Sequence, residues 1–472
     1  MIAELLNPTD VRSERELLIS RLTALAEKMD KDLALGKKTD PTLTPDKIRR
    51  VASELEKEAT DEKLAPADQK LEAGAYIPRA PLTCVLQSIY EQQFRERGWI
   101  KETPGLRGLA AADVAVTTER LSRPLQAARG LAFGGFEDGE DVRYLVDGMA
   151  GVLDRLIAGK ANFNSKPAQL AELGKNARVL IFGDWATGLP RARALADAIA
   201  TELRENQADW TQHLIHLGDT YYAGRSSEYQ RRFLPHWPKP GVPVKSQWSL
   251  NGNHDMYSGG DGYFNTLLAN ELFQSHKDNS GKPSSFFLLQ NEHWQIFGLD
   301  SAFHSPQLTG MDGAIDAAQA DFVKERLDPA KGVILLTHHQ LFSARQGEGN
   351  SEQIRDALKA RGIWKNVRGW IWGHEHRAVL YAPSWSKAKY DLSFALCLGN
   401  SGVPTERKTS DIAPGAVEWE YLETMRSGTK HFMKFAFISL EFGDAKPDEV
   451  KVKFHRPDRS VAKETSMFRR EP

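Results

Sequence analysis

The sequence predicts an α/β fold preceded by a mainly helical region, and three observations carry that expectation. From about Ala177 onward, short apolar runs alternate with segments of helical character, the pattern of strand, polar loop and helix. Several of these runs end in Gly, Asp, Asn or His, which gathers polar side chains at strand ends. Before Ala177 the apolar residues recur instead at helical spacing.

Taken in order, Ser13 and Glu16 form a capping box ahead of Leu18, Leu22, Leu25 and Met29, which share one helical face. Thr44-Pro45 opens a second helix with Ile48, Val51 and Leu55 on one side. A third runs through Val142, Leu145, Val146, Met149, Leu153 and Leu156. The connector "GGFEDGED" at 134–141 is acidic but lacks the spacing of a calcium loop, and reads as a solvated turn. These segments define a helical N-terminal region, 1–172, and a second domain, 173–472. In the second domain the strand candidates are Val179–Phe182, His213–Leu217, Trp248–Leu250, Trp294–Leu299, Val333–Leu336 and Trp370–Trp372. Beyond Phe394, "HFMKFAFISLEF" and "EVKVKFHRP" have the texture of strands that close a sheet.

Composition narrows the function. With 41% hydrophobic residues, the 472-residue chain can build a large core. Lys+Arg 62 against Asp+Glu 63 leaves a net charge of −1, so no global field favours nucleic acid or a membrane surface. No apolar run approaches the ~20 residues that span a bilayer. The first twenty residues lack a basic segment followed by an apolar core, so a cytoplasmic location is expected. Cys84 and Cys397 both sit in apolar contexts and read as packed thiols, not a disulfide framework. The charged N-terminal helices permit a protein partner.

Five strand ends carry metal-ligand residue types: Asp184 in "FGDW", Asp219 in "LGDTYY", Asn253 and His254 in "NGNHD", His338 in "LLTHH", and His374 and His376 in "WGHEH". One such residue means little, since a lone strand-end Asp is usually a cap and a lone His a satisfied polar group. Five in order, each after an apolar run and most after glycine, point to a metal site. Glycine before a ligand lets the backbone approach an ion closely.

This pattern resembles the calcineurin-like metallophosphoesterase superfamily and, within it, the purple acid phosphatases; the likeness spans roughly Ala177 to His455. It implies a β-sandwich flanked by helices with two metal ions on its loops. Most of that superfamily has Asp-x-His in the first motif, where this chain has Asp184-Trp185-Ala186. The purple acid phosphatases lack that histidine and use a tyrosine three residues after the bridging aspartate, which here is Tyr222 in "GDTYY", with Tyr221 pointing elsewhere. The resemblance implies Fe(III) held by Asp184, Tyr222 and His376, since phenolate is a hard anionic ligand. It implies Fe(II), Zn or Mn held by Asn253, His338 and His374, with Asp219 bridging the two ions. It implies His254 as the group that protonates the leaving alcohol and Asp255 as the residue that orients it. The activity implied is hydrolysis of a phosphate monoester or diester, a metal-bound hydroxide attacking phosphorus. A phosphorylated small molecule is the expected substrate.

Weaker candidates surround this set. His339 lies next to His338, which takes the ligand role because the family ligand directly follows the strand. His304 and Arg377 are possible substrate contacts, or an exposed loop histidine and an ordinary surface arginine. The loop "MYSGGDGYF", 256–264, either shapes the pocket or is a simple turn, and "LGNSGVP" at 398–404 is expected to support the ligand histidines. A reading from another class is a metallophosphoesterase-fold interaction scaffold with little or no catalysis, which would show lost ligands.

Overall fold

The computed structural model describes residues 159–470 apart from 189, 206–209, 307–311, 345–349, 404, 406–412 and 428–429, together with Arg155 and scattered positions between 19 and 56. The chain divides into two compact units, Met1–Gly159 and Lys160–Pro472. In the first, the described positions between 19 and 34 and between 45 and 56 are helical, with Ala26, Met29, Ile48 and Ala52 buried. The helix expected through Val142–Leu156 and the acidic stretch 134–141 lie outside the described residues.

The second unit is built on sixteen strands among the described residues. They are β1 (Ala171–Glu172), β2 (Ala177–Phe182), β3 (Thr211–His216), β4 (Ser246–Ser249), β5 (Phe287–Gln290), β6 (Trp294–Gly298), β7 (Gly332–Thr337) and β8 (Val367–Trp372). There follow β9 (Ala378–Tyr381), β10 (Phe394–Leu398), β11 (Val417–Glu420), β12 (Thr424–Ser427), β13 (Lys430–Met433), β14 (Phe437–Phe442), β15 (Glu449–His455) and β16 (Val461–Phe468). One sheet has the order β1-β5-β6-β7-β8-β10-β9-β11 and another β16-β15-β14-β2-β3-β4, while β12 and β13 form a ribbon. Strands β2, β3 and β4 run parallel, as do β6, β7, β8 and β10.

Side chains alternate across a strand, so every second residue faces the opposite sheet. Val179, Ile181, Ile215 and Trp248 of one sheet meet Ile296, Ile334, Ile371 and Leu396 of the other in a shared core. The intervening residues face outward and are covered as well. Leu180, Phe182 and Leu214 pack with Leu195 and Ile199 of helix α1 (Pro190–Arg204). Phe297, Leu335 and Trp370 pack with Phe322 of α2 (Ala317–Arg326) and with Ile354 and Leu358 of α3 (Glu352–Lys359). Burial on both faces is why these strands read as unbroken apolar runs, not as alternating ones. The result is a β-sandwich flanked by helices, as expected from the sequence.

Each of the six strand candidates is a strand here. The stretch "HFMKFAFISLEF" divides into parts of β13 and β14, and β16 adds an edge that the pattern did not announce. Residues just after 160 belong to the second unit, ahead of the boundary at 172/173 that composition suggested: β1 pairs with β5, and the Ala168 amide donates to the Phe286 carbonyl. Among the described residues, no helix is long and apolar enough to cross a membrane.

Candidate metal centre

The parallel strands of the two sheets deliver the candidate ligands to one place. Asp184 follows β2, Asp219 follows β3, Asn253 follows β4, His338 follows β7, and His374 and His376 follow β8. Their approach is closer than an ordinary backbone allows. A Cβ on Gly252 would stand 2.1 Å from the Asp219 carboxylate, and one on Gly373 would stand 2.6 Å from that of Asp184. Four ligand candidates also occupy the left-handed backbone region: Asp184 (φ 54°), Asp219 (74°), His374 (70°) and His376 (40°). That conformation costs a non-glycine residue roughly 1–3 kcal/mol, and such costs concentrate at functional sites.

Two donor groups result. In the first, the Tyr221 hydroxyl lies 3.0 Å from Asp184 Oδ1, 3.1 Å from Asp219 Oδ2 and 2.9 Å from His376 Nε2. This corrects the assignment of the tyrosine. The sequence reading turned Tyr222 inward and Tyr221 away, and the structure has Tyr221 among the acids. The cause is local. The Arg232 guanidinium lies 5.1 Å from the Tyr222 ring centroid, while the Tyr221 ring packs against His254, 4.7 Å between centroids. Two adjacent tyrosines look alike in sequence, and only the packing around them tells which is inside.

In the second group, Asn253 Oδ1 lies 2.8 Å from His338 Nε2 and 2.9 Å from His374 Nδ1, and Asp219 Oδ1 is 3.3 Å from His338 Nε2. Hydrogen bonding settles which atoms carry protons. His338 Nδ1 lies 3.0 Å from the Leu217 carbonyl, which only accepts, so Nδ1 holds the proton and Nε2 presents a lone pair. Asn253 donates its amide nitrogen to Tyr257 Oη, leaving its oxygen to face His338. Two acceptors therefore point at each other across 2.8 Å, an arrangement suited to a cation. Asp219 faces one group with Oδ1 and the other with Oδ2.

The electrostatics agree. Burial pushes Asp184 up to about 8, and burial with the neighbouring charges of Asp184 and Asp255 holds Asp219 well above the usual carboxylate range. Burial holds His338 and His374 well below the usual histidine range, with neighbouring histidines adding to the effect. Buried acids that resist ionisation and histidines that resist protonation form a donor set suited to a metal ion, whose charge reverses that logic. The donors fit the two ions the resemblance implies.

The expected proton donor is placed differently from its expected partner. His254 Nδ1 donates to the Tyr222 carbonyl at 2.8 Å, and its Nε2 lies 3.9 Å from Asp219 Oδ2. Burial lowers this histidine to about 3. Asp255, expected to orient it, instead accepts the amides of Gly252 (2.7 Å), Thr220 (2.9 Å) and Asp219 (3.0 Å). It sits in the first turn of a short helix (Asn253–Tyr257), and its carboxylate turns back toward the Gly252 amide at the helix start. Asp255 thus clamps the loops after β3 and β4. Asp255→Ala leaves these donors without that acceptor, at roughly 1–3 kcal/mol for each that stays buried. We expect urea denaturation to show a loss of at least about 2 kcal/mol.

The remaining candidates separate clearly. Ser301 Oγ accepts the His339 main-chain amide at 3.1 Å and lies 2.8 Å from His339 Nδ1. A ring nitrogen of His339 comes within 4.8 Å of ligand atoms of His338 and His374, so it lies beside the second donor group. His304 packs edge-on to Phe163 and lies 3.6 Å from Asp316. Arg377 is buried and paired with Glu420 at 2.6 Å, so it is not a surface arginine. In the loop 398–404, Ser401 ties to both the amide and the carbonyl of Gly183, supporting the Asp184 turn as much as the histidines. Sequence reasoning turned Tyr221 away from the site and missed Glu228, Arg232 and Ser301, which carry no motif of their own.

Residues 177–378 match the family described as calcineurin-like phosphoesterase, a segment that runs from β2 to the start of β9 and holds every donor described above. No curated protein matches the chain. Among solved structures it is similar to GAP50, the anchor in the inner membrane complex of Plasmodium, at 11% identity over 63% of this chain and 90% of that one, TM-score 0.42. It is similar to the sulfate thiohydrolase SoxB of Thermus thermophilus at 14% identity, covering 52% of this chain and 56% of that one, TM-score 0.29. A protein serine/threonine phosphatase from Saccharomyces cerevisiae shares 13% identity over 61% and 92% of the two chains, TM-score 0.25.

Proposed function

We propose that this protein is a two-metal phosphoester hydrolase of purple acid phosphatase type, with Tyr221 in place of Tyr222 as the phenolic ligand. The observation that carries the proposal is the shared carboxylate: Asp219 turns one oxygen to each of two donor groups. Asp184, Tyr221 and His376 would hold one ion, Asn253, His338 and His374 the other. Bound at these positions, a pair of cations supplies an activated water and neutralises charge developing on the phosphoryl oxygens. The chain's own residues do the rest. The neutral amide of Asn253 adds no charge to its group, and the Leu217 carbonyl keeps the His338 lone pair turned inward. His254 keeps its Nδ1 proton on the Tyr222 carbonyl, so Nε2 is the atom that would take up a second proton with the bound substrate and hand it to the departing alcohol. An anionic phosphate beside it opposes the burial that otherwise lowers its proton affinity.

The native protein should hydrolyse a small aryl phosphate and lose that activity on treatment with a chelator. His254→Ala should retain its metal while losing about 10²–10⁴ in rate, with the smallest loss for good leaving groups. An equal loss for good and poor leaving groups would remove His254 as the acid. A metal-loaded wild-type protein that hydrolyses neither monoesters nor diesters would favour the scaffold reading.

A further inference from the structure

We infer that Glu228 and Arg232 are positioning residues that select which of two adjacent tyrosines presents its hydroxyl to the metal centre. The inference rests on the two-metal reading above and deepens it. Tyr221 and Tyr222 are chemically equivalent neighbours in one loop, so what anchors that loop decides which ring meets the acids. The Glu228 carboxylate is buried and accepts the main-chain amides of Tyr222, Ala223 (3.0 Å) and Arg225 (2.9 Å). It therefore fixes the peptide groups that follow both tyrosines. Arg232 lies one helical turn further on. Its Nη1 donates to the Tyr221 carbonyl at 2.7 Å and to Glu228 at 2.9 Å. The same guanidinium covers the Tyr222 ring, 5.1 Å from its centroid.

One ion pair thus holds the carbonyl of the inward tyrosine, the amide of the outward one, and the outward ring itself. The pairing also leaves this buried glutamate committed to the loop and not offered as a ligand. Its charge is matched by Arg232, and its lone pairs point at backbone amides. A planar guanidinium suits both tasks, since it donates in its plane and stacks through its face. A lysine reproduces the charge alone.

The test uses the full-length protein loaded with iron(III), read by visible absorption, because a phenolate bound to iron(III) gives a charge-transfer band. In the wild-type background Tyr221→Phe should abolish the band and Tyr222→Phe should leave it. Glu228→Gln and Arg232→Met should each at least halve it, and what remains should depend on Tyr222 when either tyrosine is replaced in that background. Arg232→Lys should recover less than the full band. Iron content and far-ultraviolet circular dichroism, measured on the same samples, separate a misplaced tyrosine from a lost fold. If one of the two clamp variants does not fold, the other decides. A full band in a folded clamp variant that still depends on Tyr221 alone would overturn the inference and leave the phosphoesterase reading intact. A wild-type protein with bound iron(III) and no band would overturn both the phenolic ligand and the selection proposed for it.

Discussion

Asp219→Asn is expected to reduce metal content and turnover more than any other single substitution at the centre, by well over the about 10–100-fold that loss of a supporting hydrogen-bond partner costs. Asp219 is the residue whose two carboxylate oxygens face different donor groups, Oδ1 toward His338 and Oδ2 toward Tyr221. Neutralising it weakens both groups at once and removes the anion that keeps two cations from repelling each other. Asp184→Asn touches the ligand atoms of the first group alone, through Tyr221 and His376, and reaches the second only at the His374 main-chain amide. Metal content by mass spectrometry and turnover of an aryl phosphate, measured for the two variants side by side, make the comparison. Metal retention and near-normal turnover in Asp219→Asn would contradict a shared ligand.

Removing the metals should make stability fall as pH rises above neutrality. Asp184 is pushed up to about 8, and Asp219 is held well above its usual range, in each case mainly by burial. In the folded metal-free chain these acids keep protons that the unfolded chain has released. Their contribution is complete below the unfolded value of about 3.9 and disappears as pH passes the folded value. The buried histidines act in the opposite sense. His254, His338 and His374 are lowered, so the unfolded chain binds their protons first and stability falls below about pH 6.5. The two effects separate between about pH 6.5 and about pH 8, where the histidines are neutral in both states and the acids alone titrate. In that window chelator-treated protein should lose stability on the order of a few kcal/mol, and loaded protein should not, because cations replace the protons. Thermal unfolding of both forms across the window checks the sign. A gap between them that stays constant or narrows with pH would show that the acids do not hold the cations.

Much of the site was legible because its ligands follow strands whose both faces are buried. The runs ending at Phe182, Leu217, Leu250, Leu336 and Trp372 announce their strands by continuous apolar character, and the next polar residue is then at the strand end. What the sequence could not show was orientation within a loop. "GDTYY" permits either tyrosine to face inward, and the choice depends on Glu228 and Arg232, whose contact with the loop is a matter of tertiary packing. Asp255 follows His254 directly, yet the amides of Gly252 at the helix start and of Asp219 in the loop after β3 claim its carboxylate. "THHQ" leaves two histidines equivalent in sequence, and only the fold turns His338 Nε2 to Asn253 and sets the His339 ring against Ser301. Strand β16 was missed because its residues are largely exposed or half-buried, without the apolar run that marked the others.

The central claim is that two cations act together on one phosphoryl group. It is tested most directly by titrating chelator-treated protein with iron, zinc or manganese while following aryl phosphate hydrolysis and bound metal in the same samples. The account predicts little turnover through the first equivalent and a steep rise as the second binds. Full turnover at one equivalent, or hydrolysis by metal-free protein, would contradict it.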